Sequence, residues 1–525
     1  MQRRNFLKAS VTLAAAAKLT TGTALGFVPA HNWGQYDFGS GPPVADRLDQ
    51  GPFPQYPPEA LIPSDDVVMT TTPSEDVVPN YGKGLITYIT ADMGIDEIKA
   101  DNIFQAIEDL VHLPLGQQLY IRPTWREVQP RPGRLELPDY LKVVFDLAKK
   151  NNKRVGLRIQ MSAPDYTREP ALPDFVLERV PKVDLILSDK ESQKAAERYL
   201  KNPHARYQPR FDNPYFQQEF KELVGLLAAE FNGSPSIEFI DTFMYGFWGE
   251  GHTWPFANNP FPDYQTAERT WINMLQVQLE NFTKTPLLTN TQPDYSRVGN
   301  SELLDRTVRS NNWIRSDTIF IENEQIEALS NRPPWIAAVL EQPLPGKPPD
   351  PGAAQEGISP AENMIAHVID VGANYWSLWN FHQISPKTLM SYYDAYPTWF
   401  DRINRRIGYR VRPSMIWSYE DNGDTGLIIG FANDGIAGVP GSLRVSVEGN
   451  DGKVLGSGCL DPGYPLPGKI RQAQFVLPQR TQWSGLKLKA AIEVKGMCYP
   501  VRWACQQKLN DDGSLTLRPN LRQEV

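Results

Sequence analysis

The sequence predicts an α/β protein: a (β/α)8 TIM barrel followed by a C-terminal antiparallel β-sandwich. Three observations carry this. From residue 84 to 407, short apolar β-rich runs alternate with helical stretches eight times, and such alternation builds a parallel sheet with right-handed crossovers. Eight units close a barrel, and no G-x-G-x-x-G follows the first strand, so a dinucleotide-binding sheet has no support. Beyond Arg412-Pro413, short strands follow one another across Asn-Asp-Gly-type turns with no helix between them, the pattern of a sandwich. At 525 residues and 41% hydrophobic the chain can bury a large core, which excludes a disordered protein, and three cysteines exclude a disulfide scaffold.

The elements run in order. Strand 1 is expected at 84–90 and a helix at 95–110. Strand 2 is expected at 118–123, then an amphipathic helix at 138–151 with Leu141, Val144, Phe145 and Ala148 at helical spacing. Strand 3 covers 154–161. A helix at 213–232 opens on Asp212, Asn213 and Pro214. Strand 4 (237–247) leads to a helix at 264–283, strand 5 (286–291) to a helix at 301–310, and strand 6 (318–321) to a helix at 323–331. Strand 7 (335–340) precedes a helix at 360–372 closed by Gly372. Strand 8 (374–379) precedes a last helix at 389–407. Sandwich strands are expected at 426–431, 442–447, 453–458, 473–477, 486–494 and 514–517. The domains read as 1–30 export signal, 31–80 Pro-rich extended lead-in, 81–410 barrel and 411–525 sandwich.

The N-terminus reads as an address. Residues 1–30 have a charged start, an apolar stretch and a small-residue end at Val28-Pro29-Ala30, the layout of a secretory signal. Arg3-Arg4 followed by Phe6-Leu7-Lys8 resembles a twin-arginine export signal, which implies a bacterial protein that meets the twin-arginine machinery and ends in the periplasm or outside the cell. Removing the segment takes away Arg3, Arg4, Lys8 and Lys18 and no acid, moving the net charge from −8 to −12. No other stretch approaches 18 apolar residues, so no membrane span is expected in the mature form. No basic run interleaves with aromatics, so nucleic acid is a poor partner.

In such a barrel the chemistry sits at the C-terminal ends of the strands. Two residues stand out there. Glu250 follows strand 4 in Phe-Met-Tyr-Gly-Phe-Trp-Gly-Glu-Gly-His, flanked by two glycines that let the backbone turn sharply. Glu341 follows Ile-Ala-Ala-Val-Leu of strand 7. Carboxylates on opposite sides of the mouth can face one substrate, as retaining glycoside hydrolysis requires: one acid/base and one nucleophile, about 5–5.5 Å apart. The acid/base needs a raised pKa, which desolvation by Trp248 would give, and the nucleophile must stay ionised, which Arg122 would favour. Substrate contacts are expected from Arg122, Trp125, Trp248, His252, Asn290, Arg315, Asp317, Trp376, Trp379 and Asn380, all at strand ends. Glu322 is the fallback carboxylate. Residues 163–212 form a long insertion expected to cover part of the mouth, with the Pro-rich loop 343–359 as another wall.

The strand 4 and strand 7 glutamates resemble clan A of the glycoside hydrolases. Leu119-Tyr120-Ile121-Arg122-Pro123-Thr124-Trp125-Arg126-Glu127, with Pro132-Gly133 and 137–151, is similar to strand 2 and helix 2 of β-galactosidase-like members. Gly246-Phe247-Trp248-Gly249-Glu250-Gly251-His252, the closing 374–380 strand, Gly408-Tyr409-Arg410 and a following sandwich are similar to secreted bacterial relatives of that group. The resemblance implies a retaining glycosidase acting on a β-linked oligo- or polysaccharide without a cofactor. Gly249 stands where clan A usually has Asn, and 318–321 offers no Tyr beside the nucleophile. A different proton donor, or a barrel that binds carbohydrate without cleaving it, therefore stays open. Six histidines show no H-x-H or H-E-x-x-H spacing and no G-x-S-x-G occurs, so metal-dependent and serine hydrolases lack support and no metal site is expected. Cys498 and Cys505 can pair or stay as free thiols.

Overall fold

The computed structural model describes residues 67–89, 103–113, 116–164, 169–187, 194, 197, 202–291, 297–316, 328–344, 366–380, 386–421, 424–478 and 481–518. Eight parallel strands close a barrel in sequence order: β1 (Gly84–Tyr88), β2 (Gln118–Ile121), β3 (Val155–Leu157), β4 (Ile237–Asp241), β5 (Leu287–Asn290), β6 (Trp313–Ser316), β7 (Ala338–Leu344) and β8 (Tyr375–Asn380). Closure runs through β8 and β1, with Tyr375 opposite Gly84. All five residues of β1 and of β4 are buried, as expected for strands covered by side chains inside and helices outside.

The outer helices follow from local signals. Helix α1 is Ile103–Val111 and α2 is Asp139–Lys150, which buries Leu141, Val144 and Ala148. Helix α3 (Pro214–Phe231) starts where Asn213 accepts from the backbone of Tyr215 and Phe216 and Pro214 takes the first turn. Helix α4 (Tyr264–Asn281) is capped by Asp263, which accepts from Thr266 N at 2.7 Å. Helix α5 is Arg297–Arg309. The expected last helix is two: α6 (Pro386–Ala395) and α7 (Pro397–Arg406). Pro397 has no N–H to continue α6 and instead opens α7.

Strand 6 is displaced from its expected place: β6 is Trp313–Ser316, and 318–321 lies outside the described residues. Its short apolar run is hidden between Asn312 and Arg315, which face other strands and the barrel interior. A β-bulge skips Glu238 between the Ile237 and Phe239 pairings. The bulge aims Glu238 at the floor of the barrel, where it accepts from Gly82 N at 2.9 Å and from the hydroxyl of Tyr375. Gly156 is needed beside it, since a Cβ there would sit 2.5 Å from the Phe239 ring.

The C-terminal part contains two antiparallel sheets. One runs Val67–Thr70, β9 (Val411–Asp421), β10 (Asp424–Asn433), β13 (Ile470–Leu477). The other runs β12 (Val454–Cys459), β11 (Ser442–Glu448), β14 (Lys487–Val494), β15 (Met497–Val501), with β16 (Leu515–Thr516) beside β14. The Val67–Thr70 strand reaches the sandwich from before the barrel, so residues 67–70, within the expected lead-in, belong to that sheet. All three cysteines are free, with Cys498 exposed and Cys505 buried, so the possible Cys498–Cys505 pair does not form.

The two parts meet under the barrel floor. Tyr81 stacks on Tyr499 with centroids 3.5 Å apart, Tyr409 donates to Tyr81 O at 2.7 Å, and Lys495 donates to Asn312 at 2.7 Å. Lys83 is buried in this junction, its Cβ against Gly408, and its ammonium has no hydrogen-bond partner among the described residues. Burial, with the charge of Arg410 adding, lowers its pKa to about 7.

Candidate active site

The C-terminal mouth of the barrel holds a buried network of three guanidiniums and three carboxylates. Strand parity places them. Arg122 extends the inward row of β2 that contains Tyr120, Arg158 that of β3 after Gly156, Asp241 that of β4 after Phe239, Arg315 that of β6 after Trp313, and Glu341 that of β7 after Val339. Charges on these rows cannot reach bulk water, so each is paired.

Glu341 is 2% exposed. Its Oε1 accepts from Arg122 Nη2 at 3.1 Å and its Oε2 from Arg315 Nη1. Arg122 also donates to the Tyr88 hydroxyl at 2.6 Å and lies over the Tyr88 and Tyr120 rings. Burial pushes the Tyr88 and Tyr120 phenols well above their ordinary range, so both stay neutral.

Glu250 comes from the loop after β4. Gly246, Gly249 and Gly251 have φ of 85°, 80° and 85°, and Trp248 has 54°. The expected sharp turn is therefore present, and a side chain at Gly251 would also meet the Trp271 ring at 2.3 Å. The turn is closed by Phe247 N donating to His252 O at 2.8 Å and Glu250 N to Phe247 O at 3.0 Å. Glu250 Oε1 then faces Arg158 Nη1 at 2.7 Å, Arg315 Nη2 at 2.6 Å and Arg122 Nη1 at 3.5 Å. Its Oε2 faces His252 Nε2 at 3.5 Å.

Behind the pair, Asp241 binds Arg158 Nη2 at 2.5 Å, lies 3.6 Å from Arg315 Nε and accepts from the Tyr120 hydroxyl. One guanidinium, that of Arg315, thus joins both glutamates.

The expected raised pKa of Glu250 is reversed. Burial alone would raise it, but the charge of Arg315, the hydrogen bond from His252 and the charges of Arg158 and Arg122 together hold the carboxyl well below the usual carboxylate range. Trp248 is half-buried with its ring 5.5 Å from His252. Its carbonyl meets the cage, accepting from Arg158 Nη1 at 3.3 Å.

Of the other expected contacts, Arg122, His252 and Arg315 are in the cluster, and Asn290 ends β5 with its amide 3.5 Å from Glu250 O. Trp125 and Trp376 are not at the mouth. Trp125 is fully buried against Phe216 and donates to Gln129 at 2.7 Å. Trp376 is fully buried and stacks on Phe400 of α7, because Tyr375 and Ser377 take the inward positions of β8. Trp379 and Asn380 end β8, but their side chains lie outside the described residues, as do Asp317 and Glu322 and the loop 345–359. Glu127 closes a capping box with Thr124.

The insertion after β3 forms a one-turn helix, Asp174–Leu177, and a hairpin of Lys182–Asp184 with Tyr207–Pro209. It packs on the Glu250 loop, with Ala257 N donating to Ile186 O at 2.7 Å and Leu185 and Leu187 against Phe247 and Phe256.

Arg158, Asp241 and Tyr120 escaped the reading of strand ends. Their signal is a charge or hydroxyl inside an apolar strand, which must find a partner across the barrel. Among the described residues no group of three His, Cys, Asp or Glu can hold a metal, and no helix is long and apolar enough to cross a membrane.

No family model matches the chain, and no curated protein sequence does. Among solved structures it is similar to endo-glycoceramidase II from Rhodococcus sp. at 12% identity and TM-score 0.35, over 79% of this chain and 100% of that one. It is also similar to a GH5_18 protein from Streptomyces cattleya at 11% identity and TM-score 0.35, over 57% of this chain and 71% of that one. A cold-adapted beta-galactosidase from Rahnella sp. R3 matches at 10% identity and TM-score 0.38, over 66% of this chain and 59% of that one.

Proposed function

We propose that the chain is a retaining glycoside hydrolase acting on a β-linked oligo- or polysaccharide. The observation that carries this reading is the meeting of Glu250, from the loop after β4, and Glu341, from β7, on the one guanidinium of Arg315. Two carboxylates held by one guanidinium at the C-terminal mouth can serve double displacement, in which one attacks the anomeric carbon and the other serves the leaving oxygen and then water. Glu341 is the nucleophile: Arg122 and Arg315 hold both its oxygens and fix its rotamer. Glu250 takes the acid/base position. Tyr88 and Asn290 border the pair, and no cofactor enters the scheme.

The test is a panel of aryl-glycosides and polysaccharides incubated with the purified protein and with Glu341→Gln. Hydrolysis by the wild type should fall at least about 10³-fold in the variant while binding of the same sugar persists. Equal activity in the variant overturns the assignment. The ionised state of Glu250 favours a second reading, a carbohydrate-binding barrel without catalysis. Sugar binding by the wild type with no turnover of any glycoside selects it.

Export through the twin-arginine route belongs to the same proposal. It is supported by Arg3-Arg4 ahead of the apolar stretch, and changing both arginines to Lys should leave the uncleaved chain in the cytoplasm. Export of that variant at the wild-type level overturns it.

A further inference from the structure

We propose that the proton used at Glu250 resides on His252, so that the two side chains work as one acid/base couple. This rests on the glycosidase reading above and adds a residue to it.

The two oxygens of Glu250 have different surroundings. Oε1 is taken by guanidinium nitrogens at 2.6, 2.7 and 3.5 Å. Among the described residues, the titratable group that Oε2 faces is His252, with Nε2 at 3.5 Å. A carboxylate held by three fixed cations stays ionised and cannot store the proton that a sugar leaving group requires. Imidazole can, because its ordinary pKa lies near neutrality.

The loop is built to keep the two together. Gly251 separates them at a φ of 85°, the His252 carbonyl closes the turn onto Phe247 N, and the ring is set between Trp248 and the edge of Phe247. The charged groups around the couple are Arg122 from β2, Arg158 from β3, Asp241 from β4, Arg315 from β6 and Glu341 from β7. Each guanidinium is paired with carboxylates, and Glu250 is an acidic neighbour of the imidazole.

The step balances. As a Glu341 oxygen bonds to the anomeric carbon, the glycosidic C–O bond breaks and its electron pair stays on the leaving oxygen. That oxygen takes a proton from Oε2 while His252 passes its Nε2 proton to Oε2, leaving neutral imidazole. In the second half, water displaces Glu341, and the water proton returns through Oε2 to Nε2. His252 touches no substrate atom in this scheme; it is a positioning and proton-holding residue.

The test compares wild type and His252→Asn on glycosides of one sugar with different leaving groups, over pH 5 to 9. For alkyl or sugar leaving groups the variant should lose about 10²-fold or more in kcat/KM, and the basic limb of the pH profile should vanish. For a dinitrophenyl leaving group, which departs without protonation, the loss should stay under about tenfold. Equal losses for both, or an unmoved basic limb, overturn the proposal while leaving the glycosidase reading intact. A second measurement stands without turnover. In an NMR titration of the full chain, with His252 assigned by its absence in His252→Asn, Glu250→Gln should weaken imidazole proton affinity by at least about tenfold. An unmoved His252 midpoint overturns the couple whether or not any glycoside is cleaved.

Discussion

Replacing Lys83 by Met should stabilise the protein, and by an amount that shrinks as pH rises. Lys83 lies at the barrel–sandwich junction, buried, without a hydrogen-bond partner among the described residues and beside Arg410. Its pKa falls from 10.5 to about 7. Between those values the unfolded chain binds the proton and the folded protein does not, so stability rises with pH across that window and is lost as pH falls toward 7. With 1.36 kcal/mol for each pKa unit, the opposition to folding amounts to about 4 kcal/mol at pH 7 and about 2 kcal/mol at pH 9. Met has a similar unbranched reach and carries no charge, so Lys83→Met should recover roughly those amounts. Urea denaturation of both proteins at pH 7 and pH 9, followed by tryptophan fluorescence, measures the difference. A gain that is equal at the two pH values, or a loss at both, would refute the argument that a forced-neutral lysine is buried there.

Two further substitutions probe the site's framework. Asp241→Asn leaves Arg158 with Glu250 alone and the cluster with one buried positive charge in excess, so it should destabilise by about 3–5 kcal/mol in the same urea assay; a change below about 1 kcal/mol would mean that solvent reaches the cage. Gly251→Ala places a Cβ 2.3 Å from the Trp271 ring at a φ of 85°, so it should destabilise by about 1–3 kcal/mol and displace His252. An alanine variant with wild-type stability and an unchanged His252 NMR signal would show that the loop has room to relax.

What could be read from the sequence depended on whether a residue's role was set by local pattern or by strand parity. Glu250 and Glu341 were legible because each follows an apolar run, one after Phe-Met-Tyr-Gly-Phe-Trp-Gly and one after Ile-Ala-Ala-Val-Leu. The helix starts at Asn213 and Asp263 were legible or nearly so because caps are local chemistry. Trp376 was misplaced because proximity to a strand end does not say which side of the sheet a residue takes, and one position's difference from Tyr375 turns it outward onto Phe400. Arg158 and Asp241 were missed for the complementary reason. Each looks like an interruption of its strand until the partner across the barrel is known, and they are each other's partner at 2.5 Å. β6 was hidden because Arg315, the residue that ties the site together, makes the strand read as polar. The Val67–Thr70 strand was invisible in a Pro-rich segment because its partner, β9, lies more than 300 residues away.

The same arrangement that makes two carboxylates legible as a catalytic pair removes the usual source of a catalytic proton. Arginines on β2, β3 and β6 alternate with acids from β4, the loop after it and β7, so nearly every charge in the mouth has an opposite neighbour on an adjoining or facing strand. Such a network is balanced when all six groups are ionised, since neutralising one leaves the cluster with an excess unit of buried charge. A nucleophile gains from this: Glu341 must be charged in order to attack. An acid loses, because protonating Glu250 would release Arg158 and Arg315 from one of their carboxylates. The conflict is resolved when the mobile proton is kept one group away, on a side chain outside the guanidinium cage but within reach of the oxygen the cage leaves open. His252 is in that position, and the glycine-rich turn that holds it there also carries Glu250 into the cage.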